Sequence, residues 1–320
     1  MTRILITGAQ GQIGTELAEE LRGLYGREEV ITSDIQQISE SDRELGPYVY
    51  LDVLDKAALQ KIVVDYDIDW IVHNASILSA AGERNPDLAL QVNARGIENA
   101  LDTARRFDMR ILAPSSIAAF GASTPQQQTP DTTIMRPNTM YGITKVWTEL
   151  LGEYYQQRWD VDFRSLRYPG IISYKHLPGG GTTDYAVEIF YEALQQGSYQ
   201  SFLSPDTLLP MMYMPDCIRG TIDLLSADPS FLQQRVFNLS AFSFTPADLA
   251  VEIKKHLPSF SITYAPDYRQ KIADSWPNSL DDSAARQQWN WRPHYDLATM
   301  TEDMLFHLAE KLQIKLTETN

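Results

Sequence analysis

Cysteine is nearly absent. Cys217 stands alone among 320 residues, which excludes an internal disulfide and any multi-cysteine metal site. The histidines at 73, 176, 256, 294 and 307 include no pair at metal-ligand spacing, so no metal is expected. No apolar run approaches the roughly 18 residues of a membrane span. Cations are scarce as well. Lys and Arg total 27 against 42 Asp and Glu, and the net charge of −15 argues against nucleic acid or an anionic membrane as partner. An apolar strand pattern begins at Arg3, which leaves no space for a secretory signal in this sequence. A soluble, cytoplasmic protein is expected. What is present is ordinary for a large core: 43% hydrophobic and 10% aromatic residues, enough for one large domain or two joined ones.

Short apolar runs alternate with amphipathic segments through the first half, the pattern of βαβ units around a parallel sheet. Strands are expected at Arg3–Thr7, Val30–Asp34, Tyr48–Asp52, Trp70–Asn74, Arg110–Ser115 and Phe163–Tyr168. Helical spacing runs through about 12–24, 55–66, 86–107 and 141–158. After Pro169 the rhythm breaks into the loop Pro178-Gly179-Gly180-Gly181 and a helical stretch from Asp184 to Gln196. Arg235–Ser240 reads as a strand returning to the sheet, and an amphipathic helix lies near Thr301–Lys311. The expected fold is α/β: a Rossmann-type doubly wound parallel sheet with a smaller C-terminal substrate domain. Residues 1–170 plus about 218–240 would form the first, and about 171–217 plus 241–320 the second.

The run Gly8-Ala9-Gln10-Gly11-Gln12-Ile13-Gly14 follows the first strand and opens the first helix. Its glycines permit a tight turn, and a helix N-terminus favours a pyrophosphate. Asp34 ends the second strand, 20 residues beyond Gly14, where an acid can hold ribose hydroxyls. It would repel a 2′-phosphate, and no Arg or Lys directly follows it, so NAD is favoured over NADP. Asp52-Val53 suits the adenine edge, and Ala75, between Asn74 and Ser76, is small where the backbone must pass close to cofactor. Asn93 reads equally well as a functional amide or as one bonded to nearby backbone.

Tyr141 and Lys145 are four residues apart and share one helix face. An ammonium near a phenol favours the phenolate, so a lowered tyrosine pKa is expected, suited to taking a proton from an alcohol. Ser116, in Pro114-Ser115-Ser116, follows the fifth strand, at the edge where ligands bind.

Taken in order, Gly8 to Gly14, Asp34, Ser116, Tyr141 and Lys145 resemble the extended short-chain dehydrogenase/reductase family. Trp289-Asn290-Trp291-Arg292-Pro293 resembles that family's C-terminal signature, so the likeness spans the chain. The resemblance implies that Ser116 polarises the substrate oxygen and Tyr141 is the acid/base. It also implies that Lys145 binds the nicotinamide ribose and Tyr168-Pro169 passes the nicotinamide. The segment Leu208–Asp216 is uncharged until its end, where a nucleotide-sugar enzyme needs cations, and this argues for a small substrate. The whole block Tyr168–Asp216 resembles the short-chain-type L-threonine 3-dehydrogenases. The likeness includes Thr182-Thr183-Asp184, Ser79 in Leu78-Ser79-Ala80-Ala81-Gly82-Glu83, and Trp276 in Ser275-Trp276-Pro277.

That implies oxidation of the β-hydroxyl of L-threonine with NAD. Thr182, Thr183, Asp184 and Ser79 would face the substrate's charged groups, with Trp276 closing the pocket. An NAD-dependent epimerase or dehydrogenase acting on a nucleotide sugar or another small hydroxy compound is the alternative. The resemblance further implies a homodimer through the helices at about 86–107 and 141–158. Packing is the expected role of Met211, Met212 and Met214 and of Cys217.

Overall fold

Runs rich in branched aliphatic residues, such as Ile4-Leu5-Ile6 and Val30-Ile31, can be buried on both faces only inside a parallel sheet covered by helices. The computed structural model, which describes residues 1–177, 179 and 181–315, shows that arrangement. The strands are β1 (Ile4–Thr7), β2 (Val30–Asp34), β3 (Tyr48–Tyr50), β4 (Trp70–His73), β5 (Arg110–Leu112), β6 (Ser115–Ser116), β7 (Phe163–Tyr168), β8 (Gly170–Ile172), β9 (Ser198–Ser201), β10 (Leu209–Tyr213), β11 (Val236–Asn238), β12 (Phe242–Phe244) and β13 (Ser261–Tyr264). The helices of the first half are α1 (Gln12–Tyr25), α2 (Glu40–Arg43), α3 (Lys56–Tyr66), α4 (Ser79–Arg84), α5 (Pro86–Leu90), α6 (Gly96–Phe107) and α7 (Met140–Trp159). Those of the second half are α8 (Tyr185–Gln196), α9 (Met214–Ser226), α10 (Pro246–His256), α11 (Arg269–Ala273), α12 (Ser283–Gln288) and α13 (Leu297–Leu312).

The main sheet is parallel throughout, in the order β11-β7-β5-β4-β1-β2-β3, with β6 pairing further along β7. Strand order reverses between β1 and β4, the switch point outside which a doubly wound sheet binds ligands. One face is covered by α1 and α9, which bury Leu17, Leu21, Ile218 and Leu225. The other is covered by α3, α6 and α7, which bury Leu59, Ile97, Leu101 and Tyr155. The expected strand Arg110–Ser115 is interrupted at Ala113-Pro114: β5 pairs Ile111 with Phe163, and β6 pairs Ser116 with Tyr168. The expected helix 86–107 is found as one helical run, widened into a π turn at residues 91–95 between α5 and α6.

Beyond β7 the chain builds a second sheet, β12-β10-β8, and the pair β13-β9. A third core joins Phe190 of α8, Met211 and Tyr213 of β10, Leu249 of α10, and Met300 and Leu308 of α13. The anticipated loop at 178–181 is described only at Gly179 and Gly181; Pro178 and Gly180 lie outside the described residues. Among the described residues no helix is long and apolar enough to cross a membrane.

Candidate active site

Gly8 has φ +64, and a Cβ there would lie 2.6 Å from the Ala75 nitrogen. A Cβ on Gly14 would lie 2.6 Å from the Gly8 oxygen. Both glycines are therefore required where the first turn closes against itself and against the turn after β4. Gly11 is the N-cap of α1, and no side chain caps this helix. Gln12 begins the helix, and Ile13 packs beside the α1/α9 core. The Asp34 carboxylate is fixed beside this turn, accepting from Gln10 N at 3.0 Å and Gln36 N at 3.1 Å. At the end of β4, Asn74 Nδ2 and Ser76 Oγ are buried without a hydrogen-bond partner among the described residues, on either side of Ala75. An uncapped helix N-terminus, a glycine turn, an anchored acid and orphaned polar atoms together fit a dinucleotide. Asp52 is exposed and accepts from Leu54 N at 2.9 Å, while Val53 is buried against Gly96.

Ser116 ends β6, and its hydroxyl accepts from Ala118 N at 3.2 Å and lies near enough to the Tyr141 phenol to pull its pKa down. Tyr141 is held there by close packing of α7 on the turn after β6. A Cβ on Gly142 would lie 2.1 Å from the Ala118 oxygen. Thr139 caps the helix through Gly142 N at 3.1 Å, and Glu83 of α4 accepts from Met140 N at 2.7 Å. Lys145 is buried, donates to Pro114 O at 2.8 Å and stands 5.3 Å from the centre of the Tyr141 ring.

The expected lowering of the tyrosine is not found. Burial pushes Tyr141 up to about 12, against a smaller downward pull from the Ser116 hydrogen bond. The lysine lies over the ring and spends a donor on Pro114 rather than on the phenol oxygen. Burial also brings Lys145 down to about 8, with Glu149 opposing. His73, at the end of β4, is held near 3 by burial and then by Lys145, so it is neutral. Its Nδ1 bonds Thr7 Oγ1 at 3.0 Å.

Asn93 performs a task that its position in a helical pattern does not reveal. Sitting in the π turn, it accepts from Ile77 N at 2.7 Å and donates to Ile77 O and Thr144 Oγ1, both at 3.1 Å. It thereby ties the segment before Ser79 to the helix of Tyr141. The remaining anticipated residues fall around this centre to different degrees. Ser79 is buried at the start of α4, and Trp276 lies in the same apolar cluster as Ile117, Ala118 and the flank of Tyr141. Thr182 is buried, and Thr183 packs on Gly170, whose Cβ would meet it at 2.8 Å. Asp184 accepts from Gly181 N at 2.6 Å, so part of its carboxylate shapes its own loop.

Tyr168 sends its hydroxyl to Thr221 Oγ1 at 2.5 Å, which leaves its backbone, with that of Pro169, to line the edge of the sheet. Asp216 is a clamp for the C-terminal segment, accepting from His294 N at 3.0 and 2.9 Å and from Tyr295 N at 3.0 Å. Met211, Met212, Met214 and Cys217 are all buried, and burial pushes the Cys217 thiol up, as packing residues require.

This site and fold have close counterparts. L-threonine 3-dehydrogenase, mitochondrial, of Bos taurus is 49% identical over 310 residues, 96% of this chain and 83% of that one. The crystal structure of L-threonine dehydrogenase from Phytophthora infestans is 55% identical with a TM-score of 0.94, over 97% of this chain and all of that one (100%). A monomeric L-threonine 3-dehydrogenase from a metagenome, in apo form, is 43% identical with a TM-score of 0.93, over 96% of this chain and 99% of that one. Residues 4–240 match the model of the NAD dependent epimerase/dehydratase family, glycine turn, Ser116, Tyr141 and Lys145 included, and the chain belongs to that family.

Proposed function

We propose that the protein oxidises the β-hydroxyl of L-threonine to the ketone of 2-amino-3-oxobutyrate, passing hydride to NAD without a metal. The observation that carries this reading is the grouping of Ser116 and Tyr141 at the carboxyl edge of the sheet, with the buried Lys145 against the tyrosine ring. The bound nicotinamide supplies the hydride acceptor. Gly8, Gly11, Gln12, Ile13 and Gly14 would hold its pyrophosphate, with Asp34 on the adenosine ribose. Asp52, Val53 and Ala75 would border the adenine and the cofactor backbone, and Lys145, Tyr168 and Pro169 the nicotinamide end.

Once its own proton has been given up, the Tyr141 phenolate takes the hydroxyl proton while Ser116 donates to the same oxygen, so the oxygen is never left without a donor as charge develops on it. Ser79, Thr182, Thr183 and Asp184 would receive the ammonium and carboxylate, under Trp276. A small substrate is favoured because β10 is uncharged and buried, and because Asp216 is committed to the backbone of His294 and Tyr295. The substrate part of the chain in this reading is about 171–217 plus 241–320, with its own sheet and core. Its single buried cysteine suits a reducing compartment, the cytoplasm. Incubation with L-threonine and NAD, followed by absorbance of the reduced cofactor, tests the proposal. Silence there would overturn it.

The same reading makes the protein a homodimer. Ile143, Trp147, Leu150 and Tyr154 lie at helical spacing on α7 and are 49%, 46%, 57% and 51% exposed, beside the exposed Leu88 and Leu90 of α5. An outward apolar stripe of this size calls for a cover. Sedimentation should give about twice the chain mass, and Leu150→Lys should shift it towards the monomer. A monomer at micromolar concentration would refute the assignment.

A further inference from the structure

Two turns beyond Tyr141 and one beyond Lys145, on the same face of α7, stands Glu149, 1% exposed. Both carboxylate oxygens are engaged. Oε1 accepts from the Ser115 hydroxyl and from Arg167 Nε at 2.9 Å, and Oε2 accepts from Arg167 Nη2 at 2.8 Å. Arg167 in turn donates from Nη1 to Asp131 O at 2.7 Å and Asn238 Oδ1 at 3.1 Å, and lies over the ring of Phe120. Each partner of this carboxylate is one residue from a group facing the reaction: Ser115 precedes Ser116, and Arg167 precedes Tyr168-Pro169.

We propose that Glu149 is a positioning residue for the redox step, joining β6, α7 and β7 at one buried point and supplying the counter-charge to Lys145. A buried ion pair is a poor source of stability, because desolvation offsets its attraction, so a role in fixing geometry accounts for it better. Its charge acts where little else does. The charged or titratable groups facing Lys145 are Tyr141 and Glu149 on its own helix and the neutral His73 on β4. Arg167, Glu153 and Asp131 lie beyond Glu149. Glu149 alone pulls Lys145 up against burial.

Glu149→Gln keeps the shape, can still accept from Ser115, and removes the charge. In apoprotein carrying 13C-labelled lysine, the Lys145 signal, assigned by its loss in Lys145→Met, should titrate at least about one pH unit lower in this variant. The basic limb of kcat for threonine should move down by the same amount, with kcat at pH 8 lowered about tenfold and the threonine KM changed by less than about threefold. Ser115→Ala, which leaves the charge in place, should lower kcat a few-fold without moving the limb. If Glu149→Gln does not fold, Glu149→Gln with Arg167→Met leaves no unpaired buried charge and should shift the Lys145 titration in the same direction. An unchanged Lys145 midpoint in whichever variant folds would overturn the proposal. The kinetic arm rests on the threonine reading, but the titration needs no substrate. A wild type silent on threonine therefore sinks that reading and leaves this one to be decided by the lysine signal.

Discussion

At the scale of single residues, the reaction turns on a buried phenol whose protonation is set by its depth and by its neighbours Ser116 and Lys145. Ser116, Tyr141 and Lys145 could be named from order and spacing. The direction of the tyrosine shift could not, because it depends on how deeply the phenol is buried and which atom the ammonium faces. With Tyr141 near 12 beside Ser116, the resting protein holds a neutral phenol, which must give up its proton before it can serve as the base. Tyr141→Phe should therefore leave the resting fold and NAD affinity nearly intact and lower turnover at least about a hundredfold, the low end for a general acid/base. Equilibrium binding of NAD and steady-state kinetics on the same preparation check this; a variant with near-normal turnover would remove Tyr141 from the mechanism. Asn93 and Glu149 were illegible for a related reason. Their partners, Ile77 and Arg167, are 16 and 18 residues away, a separation without periodic signature.

At the scale of elements, strands buried on both faces could be read end to end, as at Val30–Asp34 and Phe163–Tyr168, because nothing but the sheet suits such runs. The short strands β8, β10 and β12 are not legible in the same way. Each has three to five residues, and their pairing joins segments far apart in sequence, so local patterning carries no trace of it. Placement of α7 is the element-level feature on which the site depends. Gly142→Ala would drive a methyl into the Ala118 carbonyl, and overpacking of this kind costs about 1–3 kcal/mol. Because the strain falls between Ser116 and Tyr141, kcat should fall well before the protein unfolds at assay temperature. Gly23→Ala is the contrasting case. It sits in α1 with nothing within 4 Å of the added carbon and should stabilise by about 0.5–1 kcal/mol with unchanged kinetics. Urea midpoints and kcat measured on both variants separate the two effects, and equal losses of activity would contradict the argument.

For the molecule as a whole, no local pattern hints that the sheet switch point encloses a neutral histidine. His73 lies 6% exposed, with Nδ1 on Thr7 and Nε2 unpartnered among the described residues. Its pKa is near 3 folded, against 6.5 when free. Between those values the unfolded chain binds a proton that the folded chain refuses. The contribution of His73 to stability is therefore full above about 6.5 and is lost progressively as the pH falls towards 3. Each pH unit in which the two states differ by one whole proton changes stability by about 1.4 kcal/mol. Lys145, lowered to about 8 from 10.5, acts in the same sense in a separate window, stability rising with pH between 8 and 10.5. Glu16, Asp131, Glu153, Glu188 and Asp223 are raised by burial and act in the opposite sense above the ordinary carboxylate range. A bare acid profile would mix these contributions. Comparison with His73→Asn, which can retain the bond to Thr7 and cannot titrate, cancels the carboxylates. Urea unfolding between pH 7.5 and 5.3, above the isoelectric point of about 4.7, should show the wild type losing stability more steeply than the variant. The excess slope should approach that of one proton below pH 6, where free histidine is mostly charged. Parallel slopes would mean that His73 is not held neutral in the folded protein.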